Sequence, residues 1–207
     1  MKKKFKIFIA ACMAVSLLAG CGEKAKTKQP AESRINGNYY TFTGEEFKNY
    51  FNEAIGSSGS KINEFIGKKL ESDNKYVGVK STEEDDRYLY IEHVDKNMIM
   101  AKSQKENGQL LEVSIDYGDG EVTNKGSFSE IKYTKDEIKA LKKYASAIFD
   151  VCEPNVETKQ FEEFFDKCFA GNSIITTEEK EIGDLKITLE SREKIEMTFV
   201  PKTQKLK

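Results

Sequence analysis

Apolar positions are laid out along this chain in three distinct rhythms. From Ile7 to Gly20 they form a nearly unbroken run, behind a start that carries Lys2, Lys3, Lys4 and Lys6 and no acid. After a polar stretch over 22–36, apolar residues return at helical spacing: Phe47, Tyr50, Phe51, Ala54 and Ile55, and later Ile138, Leu141, Tyr144, Ala145, Ile148, Phe149 and Cys152. Positions i, i+3, i+4 and i+7 build one buried stripe on an α-helix. Thr43 with Glu46, and Thr134 with Glu137, stand three apart at the two helix starts, the spacing of a capping box. Phe42 and Phe47 are placed as a hydrophobic staple around the first box. Gly56-Ser57-Ser58-Gly59 ends the first helix and Pro154 follows the second.

A second helix is expected in each half, over Ile62, Phe65, Ile66 and Leu70 and over Phe161, Phe164, Phe165 and Phe169. The rhythm then changes to period two. Leu185, Ile187 and Leu189 alternate with Lys186, Thr188 and Glu190, and Ile195, Met197 and Phe199 alternate with Glu196 and Thr198 across a turn near Arg192-Glu193. Alternation of this kind marks half-buried antiparallel strands. The first half offers Tyr88 with Tyr90, Met98 with Met100, the run Leu111, Val113, Ile115 and Tyr117, and an early strand over 76–80. A matching early strand is expected near Ser173, Ile174 and Ile175.

Most of these elements recur at an offset of ninety-one to ninety-nine residues, so the expected fold is α+β: tandem helix-helix-antiparallel-sheet units, each two-layered. The units span 39–132 and 133–207, after a signal segment over 1–20 and a tether over 21–38. A coil of some fifteen residues would hold the domain about 20 Å from its anchor. At the level of architecture this is similar to the tandem units of the β-lactamase inhibitory protein, an analogy of fold that carries no function.

The first apolar run is fourteen residues, short of the roughly 20 that cross a bilayer as a helix. A basic start, a short apolar segment and small residues before a cut site make a secretory signal. Leu18-Ala19-Gly20-Cys21 resembles the lipobox of bacterial lipoproteins. The resemblance implies cleavage between Gly20 and Cys21 and a diacylglyceryl group on the Cys21 sulfur, the one cofactor-like group expected. Two acyl chains anchor stably where one does not. The implied location is the outer face of the cell membrane, and the Lys- and Asn-rich composition resembles that of low-GC Gram-positive bacteria.

Without residues 1–20 the chain carries 29 basic and 35 acidic side chains, a net charge near −6. That sign, with no strong basic patch, disfavours nucleic acid as a partner. Membrane lipid and a protein or cell-envelope partner are expected instead. Cys152 and Cys168 sit on apolar helix faces at different heights, so two free thiols packing as small hydrophobes are expected over a disulfide.

Candidate chemistry is sparse. His93, at the end of a strand, is the only histidine, and no cysteine pair has zinc-type spacing. Glu83, Glu84, Asp85 and Asp86 are weak candidates for a metal, since adjacent carboxylates miss the alternating pattern of calcium loops. Asp119-Gly120 reads as a hairpin turn. Tyr88 and Tyr90 share one strand face while Leu89 and Ile91 share the other, so a binding face is sought there. The expected function is therefore a membrane-anchored binding or protein-interaction module with no catalytic residue. The alternatives are a surface hydrolase using carboxylates or His93, and a small-ligand or peptide-binding lipoprotein.

Overall fold

The computed structural model describes residues 31–69, 88–104, 107–117, 121–125, 128–170, 177–191 and 194–203. The lipobox with Cys21, the acidic run 83–86 and the expected strands at 76–80 and 173–175 lie outside them.

Within those residues the order is β1 (Ile35–Asn36), β2 (Tyr39–Tyr40), α1 (Gly44–Ile55), β3 (Gly67–Lys69), β4 (Tyr88–Val94), β5 (Asn97–Ser103), β6 (Leu110–Tyr117), β7 (Glu121–Lys125), β8 (Phe128–Lys132), α2 (Lys135–Cys152), α3 (Thr158–Cys168), β9 (Thr177–Ile182), β10 (Leu185–Ser191) and β11 (Ile195–Pro201). The α+β class is as expected. Seven strands form one antiparallel sheet in the order β3-β4-β5-β6-β11-β10-β9, with β1-β2 and β7-β8 as separate ribbons. The halves of the chain are joined at the centre of that sheet, where β6 pairs β11 through Tyr117↔Ile195, Ile115↔Met197 and Val113↔Phe199.

Both predicted capping boxes form. Thr43 and Thr134 each accept the backbone N–H of the glutamate three residues on, and Glu46 and Glu137 return to the cap N–H at 2.8 and 2.7 Å. The Phe42 and Phe47 rings close the staple at 6.2 Å.

Helix α2 is the centre of the molecule. Its 141, 145, 148 and 152 stripe is fully buried towards the sheet, and Tyr144 and Phe149 on its flanks meet Phe51 of α1 and Phe161 of α3 at 6.3 and 5.2 Å. Phe161 also meets Phe199 of β11 at 5.8 Å. The opposite sheet face carries Glu112, Ser114 and Asp116 of β6 beside Glu196 and Thr198 of β11.

The structure corrects the helix expected over Ile62 to Leu70. Residues 60–66 have no regular structure and lead into β3, and Leu70 lies outside the described residues. Ile62 and Phe65 are buried as the spacing required, but Ile66 is 65% exposed. Asn52 of α1 explains why no helix is needed: its amide donates to the Ile62 carbonyl and accepts from the Ile62 N–H, both at 2.8 Å. A part-buried backbone pair is thus satisfied by a side chain instead of a helical ladder. The Asp119-Gly120 turn lies outside the described residues; of the strands on either side of it, β6 pairs β5 and β11, while β7 pairs β8.

Strand β9 was not expected from alternation. Its sequence, Thr-Glu-Glu-Lys-Glu-Ile, is exposed at every position but the last, yet it pairs with β10 along its whole length. Charged side chains on an outermost strand discourage further pairing.

Candidate functional site

Helices α1 and α3 rise on either side of the outer surface of α2. Between them runs an open channel made of two contiguous parts, about 840 Å³ and about 580 Å³, which share Ala54, Asp150 and Thr158. Its floor is a second stripe of α2, Lys139, Lys143, Ser146 and Asp150, at the same i, i+4, i+7 spacing as the buried face. Small side chains at Ser146 and Ala147 leave the floor low.

The larger part lies at the C-terminal ends of α1 and α2. Arg34 reaches it from the segment before β1. Its guanidinium lies 3.9 Å above the centre of the Tyr50 ring, and Nη1 donates to the Val151 carbonyl at 2.9 Å. That carbonyl belongs to the last turn of α2, which has no basic residue of its own. Terminal carbonyls lack intrahelical donors and carry partial negative charge, so a cation there is favoured. Glu53, Asp150 and Glu157 line the same space, with Lys159 the other cation. Thr158 Oγ1 donates to the Asp150 carboxylate at the α2–α3 corner.

The smaller part is rimmed by Lys139, Lys142 and Lys143. Lys142 is held by Asp166 at 2.8 Å, and the Lys143 ammonium sits 4.4 Å from the Tyr144 ring centre. Helix α1 also lacks a basic residue in its last turn, so Lys143 beside Ile55 and Gly59 balances that end. Beyond the channel, Asp95 accepts from Ser60 Oγ at 2.6 Å and from the Tyr144 hydroxyl, and these bonds hold its carboxyl below the usual range.

The residues singled out from sequence are spread apart. His93 is exposed on β4, on the face opposite to the buried Val94. Tyr88 and Tyr90 lie on the same strand, in register with Ser103 and Ala101 of β5 and remote in the topology from the channel between α1 and α3. Cys152 and Cys168 are free, as expected. Cys152 is fully buried, whereas Cys168 is only half-buried, a departure from the expectation that both are enclosed. Burial pushes the Cys152 thiol up to about 12 and the Cys168 thiol up to about 11, so neither is a ready nucleophile.

On the outer sheet face Asp116 and Glu196 are cross-strand neighbours. Burial raises both carboxyls; the Lys194 ammonium on Asp116 opposes its shift, and the Asp116 charge adds to that of Glu196. Among the described residues no group of three or more His, Cys, Asp and Glu is placed to hold a metal ion, and no helix is long and apolar enough to cross a membrane. Comparison with protein-family models, with curated proteins and with solved structures finds no match for this chain.

Proposed function

We propose that the chain is a membrane-anchored, extracytoplasmic lipoprotein whose folded part is a binding module for a protein or cell-envelope partner. The observation that carries the binding reading is the channel between α1 and α3, an open space whose walls combine an aromatic face, a helix terminus and charges of both signs. Such a lining recognises a ligand by orientation and charge. The other candidate reactive groups lie elsewhere: the two thiols are outside the channel with raised pKa values, and His93 stands on the sheet. The address rests on Leu18-Ala19-Gly20-Cys21 and the short apolar run before it.

Metabolic labelling with a radioactive fatty acid tests the anchor. Wild type should take up label and partition with membranes, and Cys21→Ala should do neither. Label retained by Cys21→Ala would sink the lipoprotein reading. Cross-linking from photoreactive residues introduced at Ala54 and Glu157 tests the module, with a single adduct species expected from membranes. The same residues yielding no adduct, with the fold intact, would count against it.

A further inference from the structure

The larger part of the channel holds a ligand already, and the ligand comes from the chain itself. We propose that this part of the channel is a receptor site for a guanidinium group, filled in cis by Arg34, and that it accepts an arginine side chain of a partner polypeptide when Arg34 withdraws. The proposal rests on the binding-module reading and names the chemistry of its partner.

The groups around the guanidinium match one another. The Tyr50 ring offers its electron-rich face at 3.9 Å, a cation–π arrangement that a planar guanidinium fits better than an ammonium. The Val151 carbonyl accepts one N–H at 2.9 Å, in a helix turn with no basic side chain of its own. Glu53, Asp150 and Glu157 surround this space. Lys159, which also lines this space, has Glu163 at 3.7 Å one turn further along α3. With Arg34 withdrawn, the described lining keeps the carboxylates of Glu53 and Glu157, that of Asp150 with Thr158 on it, a carbonyl and an aromatic face, against the one ammonium of Lys159. It is complementary to a positive, planar, multiply donating group.

Arg34 is also well placed to leave. Residues 31–33 before it are exposed, and it enters the channel only through its side chain. Its backbone stays with the β1–β2 ribbon through the Thr41 N–H, which donates to the Arg34 carbonyl at 2.9 Å. The side chain can therefore swing out while the ribbon holds. A cis occupant lowers the apparent affinity for a partner by the fraction of time it fills the site.

The test is a competition. The probe is a fluorescent, end-capped peptide copying residues 31–36, with a control peptide bearing glutamine in place of the arginine. Affinity is read by anisotropy against the lipidated chain in detergent micelles. Arg34→Gln should bind the arginine peptide about 10-fold or more tightly than wild type. It should discriminate against the glutamine peptide, and adding Glu53→Lys should weaken binding again. Equal binding by wild type and Arg34→Gln, or no preference for arginine over glutamine, overturns the proposal. Preference for an acidic or neutral peptide overturns the guanidinium assignment while leaving the binding module standing.

A second measurement avoids dependence on the variant's folding. In the wild-type chain, excess arginine peptide should move the Arg34 guanidinium nitrogen resonances towards those of free arginine. Resonances unmoved at a peptide concentration that saturates Arg34→Gln overturn the proposal as well.

Discussion

Gly183 is the position where a single atom matters most. It forms the turn between β9 and β10 at φ +61°, and a Cβ there would lie 2.7 Å from both the Glu153 carboxylate and a Val156 methyl. Glu153 is buried and accepts the Asp184 N–H at 2.7 Å, so it has little freedom to retreat. The left-handed conformation alone costs a non-glycine residue about 1–2 kcal/mol, and the collision adds to it. Gly183→Ala should lower stability by about 2–4 kcal/mol in urea unfolding, while Gly37→Ala, with open space around it, loses only the backbone contribution. Equal losses at the two sites would show that the Glu153 contact carries no weight. Residue spacing gives no sign of the contact between Gly183 and Glu153. That contact depends on the α2–α3 corner folding under the β9–β10 hairpin.

At the scale of elements, legibility followed the source of each element's stability. Helices α1 and α2 and strands β6, β10 and β11 are held by regular apolar stripes, and the helix caps are local, whereas β5 turns Ile99 and Ala101 into the core, on the face opposite to the Met98 and Met100 pair that marked it in the sequence. The presence of these elements could be read from residue spacing, but the buried face of β5 could not. Strand β9 has no such stripe and is held by backbone bonds to β10. Residues 62–66 show the opposite failure: the i, i+3 spacing of Ile62 and Phe65 is genuine burial, but it is shared by loops that dip twice into a core. What settles that segment is Asn52, a polar residue on α1 with no sequence signature of its role. Asn52→Ala should leave two part-buried backbone groups unpaired and cost about 2–3 kcal/mol, and hydrogen exchange should quicken at Ile62 more than within α1. Exchange rising equally along α1 would mean that Asn52 supports the helix and not the loop. The channel was hidden for a related reason. Arg34 falls in the stretch read as tether, yet it touches Val151, 117 positions away. Tyr50 belongs to the α1 stripe, and Asp150 to the polar face of α2. Each has an ordinary local explanation, and only the packing of α1 and α3 beside α2 brings them together.

At the scale of the whole molecule, one sheet and one core imply one transition. Strand β6 pairs β11 across the two halves, and Phe51 of α1 packs on Tyr144 of α2. Probes in either half should therefore report a common urea midpoint. Alkali should lower it. The Cys152 and Cys168 thiols are raised from 9.0 to about 12 and about 11. Below pH 9 both folded and unfolded chains keep these protons, so that contribution is fully present. Between pH 9 and the folded values the unfolded chain releases protons first, and stability is lost as pH rises. The midpoint should hold from pH 7 to 8.5 and fall above 9, less steeply in Cys152→Ala. A midpoint independent of pH up to 11 would show that the thiols ionise equally in both states.

The exposed charges of β9 take on another meaning when many copies share a surface. With the lipid anchor proposed above, molecules confined to a plane would meet far more often than molecules in solution, and a bare sheet margin is the part that would stick on contact. Glu178, Glu179 and Glu181 put like charge along that margin, relieved in part by Lys180, by Lys186 reaching Glu179 at 2.7 Å and by Lys202 beside Glu181. Neighbouring copies would therefore glance off one another at this edge, and the protein can be crowded on a surface without zipping into a continuous sheet.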